Sequence, residues 1–334
     1  MKEYTVAILG ATGAVGCEMR KVLEEYEVPV KELRLMASAR SAGNTLPFRG
    51  QEIQIREATD ESFSGCDFVL GAVEGDMSRR FAPAIKKSGA VYIDNSSAFR
   101  LDPEVPLVVP EINGDDAFAN QGLIANPNCC TIIALMAVAG IAKLSEIESM
   151  VVCTYQAVSG AGQAGIAELD AQMKALAAGE KPEVKTFAAQ IAMNVIPFID
   201  APYGNDYTKE EMKMQNEGRR ILHSPGLKVN CTCVRVPVMR SHSIAVTLRT
   251  ERKVSVEEAK AAVAAFPGVW LIEDYEGRCY PTPLDTSDQD LVWVGRIRED
   301  LTDEKGLTLW CCGDQIRKGA ASNAVQILQK LIAE

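Results

Sequence analysis

Histidine is scarce in this 334-residue chain, which contains His223 and His242 and no other. The ten cysteines include no pair spaced C-x-x-C. Repeated Cys and His pairs are the usual ligands of structural zinc, so the sequence predicts no metal site. Cysteines without a disulfide-type spacing are typical of a reducing compartment, and we expect a cytoplasmic protein with mostly buried thiols.

Excess positive charge and long apolar runs are also lacking. The 35 Lys and Arg face 45 Asp and Glu, which gives a net charge of −10. An acidic chain is poorly suited to nucleic acid or to an anionic membrane surface, so we expect neither as a partner. The longest apolar stretch, residues 131–142, is too short to span a bilayer and predicts a buried helix or strand.

The order of the predicted elements indicates two domains, the number expected for this length. Up to about residue 125, short β-rich runs alternate with helical patterns, which is typical of a Rossmann-type doubly wound parallel sheet. The strand-like runs that follow have long connections and predict an α+β domain. We assign residues 1–128 to the first domain and 129–314 to the second. A C-terminal helix within 315–334 is expected to return to the first, although its apolar spacing does not by itself decide this.

Local signals mark several helix ends. The capping boxes Thr208-x-x-Glu211 and Ser255-x-x-Glu258 predict two helix starts in the second domain. Gly89 predicts the end of a helix in the first domain. Apolar spacing predicts the last helix over residues 319–332.

A glycine-rich loop joins the first predicted strand, residues 5–9, to the first predicted helix. Its spacing is G-x-x-G-x-x-G over Gly10, Gly13 and Gly16, which lets the backbone approach a pyrophosphate at the helix N-terminus. NAD-binding folds usually carry an acid at the end of the next strand. That segment here holds Arg40 and Ser41 and no acid, which favours the 2′-phosphate of NADP. A plain tight turn and a solvated arginine are the alternatives.

The segment Asn126-Pro-Asn-Cys-Cys-Thr131 predicts a strand end that turns into a helix. A cysteine in the first turn of a helix is favoured as thiolate, the nucleophile for acyl transfer. The spacing does not choose between Cys129 and Cys130. Neighbours on a helix point about 100° apart, so we expect only one of them to face a site. His242, at the start of a predicted strand, is a better acid–base candidate than His223, which lies in a predicted turn.

Together the motifs resemble the aspartate-semialdehyde dehydrogenase family from end to end. The segments that carry the resemblance are GATGAVG at 10–16, NPNC at 126–129, YQAVSGAG at 155–162, EEMK at 210–213 and RVPV at 235–238 with His242. The resemblance implies a glyceraldehyde-phosphate-dehydrogenase-like fold with a catalytic and dimerisation domain, and a homodimer. It implies NADP-dependent reductive dephosphorylation of aspartyl phosphate to aspartate 4-semialdehyde through a cysteine thioester. That step serves the biosynthesis of lysine, diaminopimelate, threonine, methionine and isoleucine.

The resemblance also implies catalytic and cofactor-binding residues. Cys129 would be the acyl-thioester nucleophile, His242 the acid–base, and Gln156 would orient the intermediate. The implied NADP contacts are Gly10, Thr12, Gly13, Ala14, Val15, Arg40, Ser41, Ser159, Gly160 and Asn323.

Four charged residues would bind substrate in this family. Arg235 would hold the substrate carboxylate, for which a planar guanidinium is the natural partner. Glu210 would meet the substrate ammonium. Arg100 and Lys213 would bind phosphate, and without the resemblance both would be read as solvated surface charges.

The sequence departs from the family pattern at two places. Cys130 stands where the family more often has Ser or Thr, and we expect its side chain to point away from the site. Glu74 and Asp76 replace a loop that is usually small and hydroxyl-rich, which bears on NADP and phosphate binding.

N-acetyl-γ-glutamyl-phosphate reductase is one alternative function. It shares the chemistry but has no use for Glu210 facing an ammonium. A non-catalytic NADP-binding redox sensor is an alternative of another class.

Overall fold

A computed structural model describes residues 2–333. Its strands are β1 (Tyr4–Leu9), β2 (Val30–Ala37), β3 (Thr45–Phe48), β4 (Gln51–Glu57), β5 (Phe68–Gly71), β6 (Val91–Asp94), β7 (Leu123–Ala125), β8 (Ile147–Gln156), β9 (Lys228–Arg235), β10 (His242–Thr250), β11 (Val269–Leu271), β12 (Val292–Glu299) and β13 (Gly306–Gly313). Its helices are α1 (Ala14–Glu25), α2 (Gly75–Ser88), α3 (Pro110–Asn113), α4 (Cys129–Ala142), α5 (Gly162–Ala177), α6 (Lys209–Ile221), α7 (Val256–Ala264), α8 (Pro283–Thr286) and α9 (Ser322–Ile332). Within residues 2–333, no helix combines the length and the apolar character that crossing a bilayer requires.

The chain divides into two compact units, and the first comprises Met1–Asn128 and Ala320–Glu334. In its described residues it contains a sheet with the strand order β3-β4-β2-β1-β5-β6-β7. All neighbours are parallel except β3 and β4, which pair antiparallel. Because β1 lies between β2 and β5, the sheet extends in both directions from its first strand, as in a doubly wound fold.

Helices cover both faces of this first sheet. Helices α1 and α9 contact each other and share one apolar core with Ile8, Leu35 and Ile93. Tyr92 points to the opposite face, since side chains alternate along a strand. There its hydroxyl contacts Ser78 of α2 at 2.9 Å. The predicted doubly wound parallel sheet is confirmed.

The second unit comprises Cys129–Gly319 and contains a mixed sheet in the order β11-β12-β13-β10-β8-β9. Strands β8 and β9 are parallel, whereas β10 is antiparallel to both β8 and β13. Helices α4, α6 and α7 pack together, and α4 lies on the sheet. Residues 130–141 of α4 are all buried, because sheet and helices surround this uniformly apolar helix. The predicted α+β architecture is confirmed.

Most local predictions hold, with three differences. Both capping boxes form: the side chains of Thr208 and Ser255 accept the backbone N–H of the residue three positions on, at 3.2 Å each. The hairpin of β3 and β4 and helix α5 were not anticipated from the sequence. Helix α9 begins later than the predicted residue 319, because Arg317–Ala321 first forms a wide turn in which the Gly319 N–H donates to the Asp314 carbonyl at 2.9 Å.

Candidate active site

The glycine loop after β1 borders a cavity of about 370 Å³ in the first unit. Gly10 has a φ of +89°, and a Cβ there would lie 2.3 Å from the carbonyl oxygen of Ala72. Only glycine therefore fits. Gly13 and Thr12 also line the cavity, while Ala14 and Val15 open α1, whose first N–H groups suit an anion. A narrow backbone cradle at a helix N-terminus fits the pyrophosphate of a dinucleotide.

The far wall of this cavity holds charges that the sequence analysis did not single out. Ser38 and Ala39, directly after β2, line it, and the exposed Arg40 and half-buried Ser41 follow in the next turn. Arg80 of α2 and Glu57 at the end of β4 line it as well. Glu57 is paired in register with Ala37. No acidic residue directly follows β2 in the sequence, but Glu57 of the neighbouring strand β4 brings one to the cavity.

Two other predicted ligands of the first unit are held by backbone and amide groups. Asn323 of α9 is buried and donates to the carbonyl of Val108 at 2.9 Å and to Oδ1 of Asn126 at 2.7 Å. Arg100 is buried and donates to the carbonyls of Asn126 and Asn95 at 2.9 and 2.8 Å. Neither residue lines the 370 Å³ cavity. Glu74 directly precedes α2, and Asp76 pairs with Arg79 within its first turn.

The nucleophile candidate lies in the second unit, at the start of α4. Cys129 is the first residue of that helix and is half-buried, with its Sγ 3.6 Å from Nε2 of His242. A hydrogen bond from the Cys130 thiol, together with the adjacent His242, holds the pKa of Cys129 well below its ordinary value, although burial opposes the shift. A cysteine with this pKa and partial exposure is suited to nucleophilic attack.

The orientation predicted for Cys130 is wrong. Its Sγ, the Sγ of Cys129 and a ring nitrogen of His242 all lie within 4.8 Å of one another. Because Cα–Cβ bonds tilt toward the helix N-terminus, both thiols of the first turn reach the same end of α4. Burial raises the pKa of Cys130 well above its ordinary value, and the adjacent Cys129 raises it further. Cys130 therefore remains a neutral thiol beside the Cys129 sulfur.

His242 is held in one tautomer by the backbone. The N–H of Ala157 donates to Nδ1 at 3.1 Å, so the proton of the neutral ring resides on Nε2 and points toward Cys129. Three soft donor atoms this close resemble a metal-binding cluster, but a metal would need the lone pair of Nε2. A metal-bound histidine also donates its other N–H, and here that nitrogen accepts. The cluster suits proton transfer rather than metal binding. His223, by contrast, lies exposed in the turn after α6.

Strand register brings Gln156 and Arg235 together. They end the parallel strands β8 and β9 and are partners in the pairing. Arg235 donates to the carbonyl of Ala157 at 2.6 Å and is buried. A Cβ on Gly160 would lie 2.7 Å from its Nη1 and 3.5 Å from Nε2 of His242, so the absence of a side chain there leaves room for both groups. Burial lowers the pKa of Arg235, while the charge of Glu210 opposes that shift.

Glu210 and Lys213 lie one turn apart on α6 and are bonded to each other. Nζ of Lys213 contacts Oε2 of Glu210 at 2.8 Å and Oδ2 of Asp200 at 2.9 Å. Gln156 donates to the other oxygen of Glu210 at 3.2 Å. Burial alone would lower the pKa of Lys213, but the two carboxylates outweigh it and raise that pKa. One connected group of charges and amides therefore extends from α6 to the end of β8.

Sequence reasoning missed Gln315, which links two loops of the second unit. Its Oε1 accepts the N–H of Ser241 at 2.8 Å, and its Nε2 contacts the hydroxyl of Ser159. Ser241 has a φ of +73°, an uncommon value for a non-glycine residue, and directly precedes His242. Gln315 thus fixes the backbone that positions the histidine, and no local motif marks it.

Comparisons with known proteins agree along the whole chain. The model described as "Semialdehyde dehydrogenase, NAD binding domain" matches residues 5–120, and that described as "Semialdehyde dehydrogenase, dimerisation domain" matches residues 138–318. The chain is 48% identical to aspartate-semialdehyde dehydrogenase of Synechocystis sp., over 98% of this chain and 97% of that protein. The chain belongs to the aspartate-semialdehyde dehydrogenase family.

Solved structures of this family superpose closely. Aspartate semialdehyde dehydrogenase II from Vibrio cholerae, complexed with ASA, has a TM-score of 0.97 at 43% identity and is matched over 100% of this chain and 99% of that chain. The enzyme from Candida albicans, with NADP, has a TM-score of 0.76 at 22% identity over 99% of this chain and 98% of that one, which shows a shared fold.

Proposed function

We propose that this chain catalyses the NADP-dependent reductive dephosphorylation of L-4-aspartyl phosphate to L-aspartate 4-semialdehyde. The observation that carries the proposal is the 3.6 Å contact between the half-buried Cys129 sulfur at a helix N-terminus and Nε2 of His242. Arg235 and Glu210, the charges that an amino-acid substrate requires, belong to the same unit. Membership of the aspartate-semialdehyde dehydrogenase family supports the reaction class.

The proposed reaction begins at the Cys129 thiolate. The sulfur attacks the acyl carbon, and the bond from that carbon to the phosphate oxygen breaks. Inorganic phosphate departs, and the acyl group remains on Cys129 as a thioester. NADPH, when bound, supplies a hydride to the thioester carbon. Nε2–H of His242 is oriented to hydrogen-bond the sulfur as the carbon–sulfur bond of the resulting thiohemiacetal breaks; the electron pair on its oxygen forms the carbonyl, which releases the aldehyde and returns Cys129 as the thiolate. A thioester accepts hydride more readily than a carboxylate does, which is the reason for covalent catalysis here.

Recognition of the aspartyl group is assigned to side chains around that thiol. The Arg235 guanidinium would pair with the α-carboxylate, and Glu210 would pair with the ammonium beside its bond to Gln156. Lys213 would neutralise the departing phosphate, and Arg100 stays assigned to phosphate by resemblance. The 2.8 Å bond of Lys213 to Glu210 places a positive and a negative charge side by side. A substrate with an ammonium and a phosphate needs both, so their adjacency supports binding of one substrate.

NADP is the cofactor that we assign to the first unit. The backbone at Gly10 and Gly13 would hold the pyrophosphate, and Arg80 together with Arg40 and Ser41 would meet the 2′-phosphate. Glu57 in the same cavity wall would repel that phosphate, which moderates the preference for NADP over NAD. The remaining family-implied contacts, Ser159, Gly160 and Asn323, stay assigned by resemblance.

We also propose a homodimer formed through the open face of the second sheet. Val151 and Tyr155 of β8 are 52% and 39% exposed on this face, and the Tyr155 ring lies 5.5 Å from that of Trp310. A second copy of the chain would cover this apolar face, in keeping with the family description of a dimerisation domain. Tyr155→Lys is expected to lower the mass measured by light scattering from dimer to monomer, whereas an unchanged dimer would contradict the proposed dimer surface.

A catalytic thiol that must stay reduced also favours a cytoplasmic location.

The decisive experiment is phosphate-dependent reduction of NADP by the purified chain supplied with L-aspartate 4-semialdehyde. We expect turnover that depends on both phosphate and semialdehyde, and weak or no turnover with N-acetyl-L-glutamate 5-semialdehyde, because Glu210 requires a free ammonium. The opposite preference would favour N-acetyl-γ-glutamyl-phosphate reductase. Binding of NADP without turnover on either substrate would favour a non-catalytic redox sensor.

A further inference from the structure

We propose that Cys130 is a second catalytic residue of this site, whose S–H donates a hydrogen bond to the Cys129 sulfur and holds it as the reactive thiolate. The inference rests on the proposed role of Cys129 as nucleophile. No motif assigns a role to the Cys130 thiol. The structure places its sulfur close to that of Cys129.

The geometry gives Cys130 the position of a donor. Its sulfur lies within 4.8 Å of both the Cys129 sulfur and the His242 ring nitrogen, and the residue is 1% exposed. Water therefore does not compete for its hydrogen. Burial keeps the Cys130 thiol protonated, so of the two adjacent sulfurs Cys129 carries the charge and Cys130 carries the proton.

His242 does not make this donor redundant. Its Nε2 lies 3.6 Å from the Cys129 sulfur, a distance at which an N–H bonds to sulfur, and in the neutral tautomer it brings this one N–H and no net charge. An imidazolium would place a second proton on Nδ1, which already accepts from the Ala157 N–H. A thiolate at this site therefore depends on donors rather than on an ion pair alone, and Cys130 is the donor next to it in the helix.

The test compares side chains of similar volume that differ in having a donor. Cys130→Ser and Cys130→Thr carry a hydroxyl, whereas Cys130→Ala and Cys130→Val do not. The rate of iodoacetamide alkylation of Cys129 is measured across pH by mass spectrometry of its peptide. Exposed Cys279 in the same protein is the internal reference for reagent reactivity.

We expect the midpoint of the pH profile to lie about one pH unit higher in the Ala and Val variants, so that alkylation of Cys129 is about tenfold slower at any pH well below the parent midpoint. The Ser and Thr variants should stay near the parent profile. Equal shifts in Ser and Ala, or no shift in Ala and Val, would overturn the proposal. If the Val variant melts early by circular dichroism, the Ser and Ala pair decides alone.

The readout separates this inference from the proposed function. A donor-dependent alkylation profile in a protein without turnover would refute the proposed reaction and support the thiol pair. Turnover without a donor-dependent profile would do the reverse. The matched thiol in a different setting, Cys312, is buried near Ser243, and Cys312→Ala should leave the Cys129 profile unchanged.

Discussion

Gly160→Ala is expected to impair substrate binding without harming the fold. A Cβ at residue 160 would lie 2.7 Å from Nη1 of Arg235, closer than real contacts allow, and 3.5 Å from Nε2 of His242, an ordinary contact. The clash is with the end of a flexible side chain, so Arg235 would withdraw rather than the backbone. An ordinary contact of about 3.4 Å requires a retreat of roughly 0.7 Å.

The size of the effect follows from what Arg235 holds. Its 2.6 Å bond to the Ala157 carbonyl fixes the guanidinium, and a retreat lengthens that bond and misplaces the fork that we assign to the substrate carboxylate. A misplacement approaching 1 Å costs about 10- to 100-fold in kcat/KM. Alanine replaces glycine at a φ outside the left-handed region, which contributes about 0.5 kcal/mol of stability. Tm should therefore change by less than about 3 °C.

The assay is steady-state turnover with L-aspartate 4-semialdehyde, phosphate and NADP each varied in turn. KM for the semialdehyde should rise most. Gly226→Ala is the matched control, because a Cβ there meets nothing within 4 Å, and its kinetics should equal those of the parent. A rise in KM for NADP with an unchanged KM for the semialdehyde would show that Arg235 is not displaced and would refute the reasoning. So would a fall in Tm proportional to the lost activity.

Three further predictions follow from the two units. Cys129→Ser should abolish turnover and the acyl adduct seen by mass spectrometry after acid quenching, since an alcohol at neutral pH is a weak nucleophile; an adduct that survives would move the nucleophile elsewhere. Arg80→Ala should raise KM for NADP about tenfold more than KM for NAD, while Glu57→Gln should lower KM for NADP; equal effects on both cofactors would remove these residues from the 2′-phosphate site. Thr208→Ala should cost about 1 kcal/mol in urea unfolding with an unchanged m value, because it removes the α6 cap, whereas no loss would mean that packing alone defines the helix start.

The parts of the fold that the sequence predicted are those with local causes. The apolar strands β1 and β6, the capping boxes and the Gly89 helix end each depend on a few adjacent residues. The hairpin of β3 and β4 was missed because it lies at the sheet edge, where most side chains are exposed and Pro47 interrupts the pattern. That omission also hid Glu57, since only strand pairing brings it beside Ala37 at the cavity.

The candidate site was predicted as a set of residue types, and the structure adds how they meet. Cys129 and His242 are far apart in sequence, and no periodicity relates them. Their approach follows from the long apolar helix α4 packing on the face of β10, with Cys129 at the first residue of the helix and His242 at the first of the strand. Cys130 was misjudged because the 100° separation fixes only the direction around the helix axis and leaves out the tilt of side chains along it. At the first turn, both thiols lean toward the open end.

Side-chain motifs in the sequence do not determine the protonation states of the site. The tautomer of His242 is set by the N–H of Ala157, a donor that every residue except proline possesses, so the sequence contains no mark of it. The same holds for the φ of +73° at Ser241, which is maintained by Gln315 from another loop. The motif identifies a cysteine and a histidine. Whether the pair begins as thiolate with a proton donor, or as a thiol with a base, depends on backbone groups and on the Cys130 thiol, and these favour the thiolate.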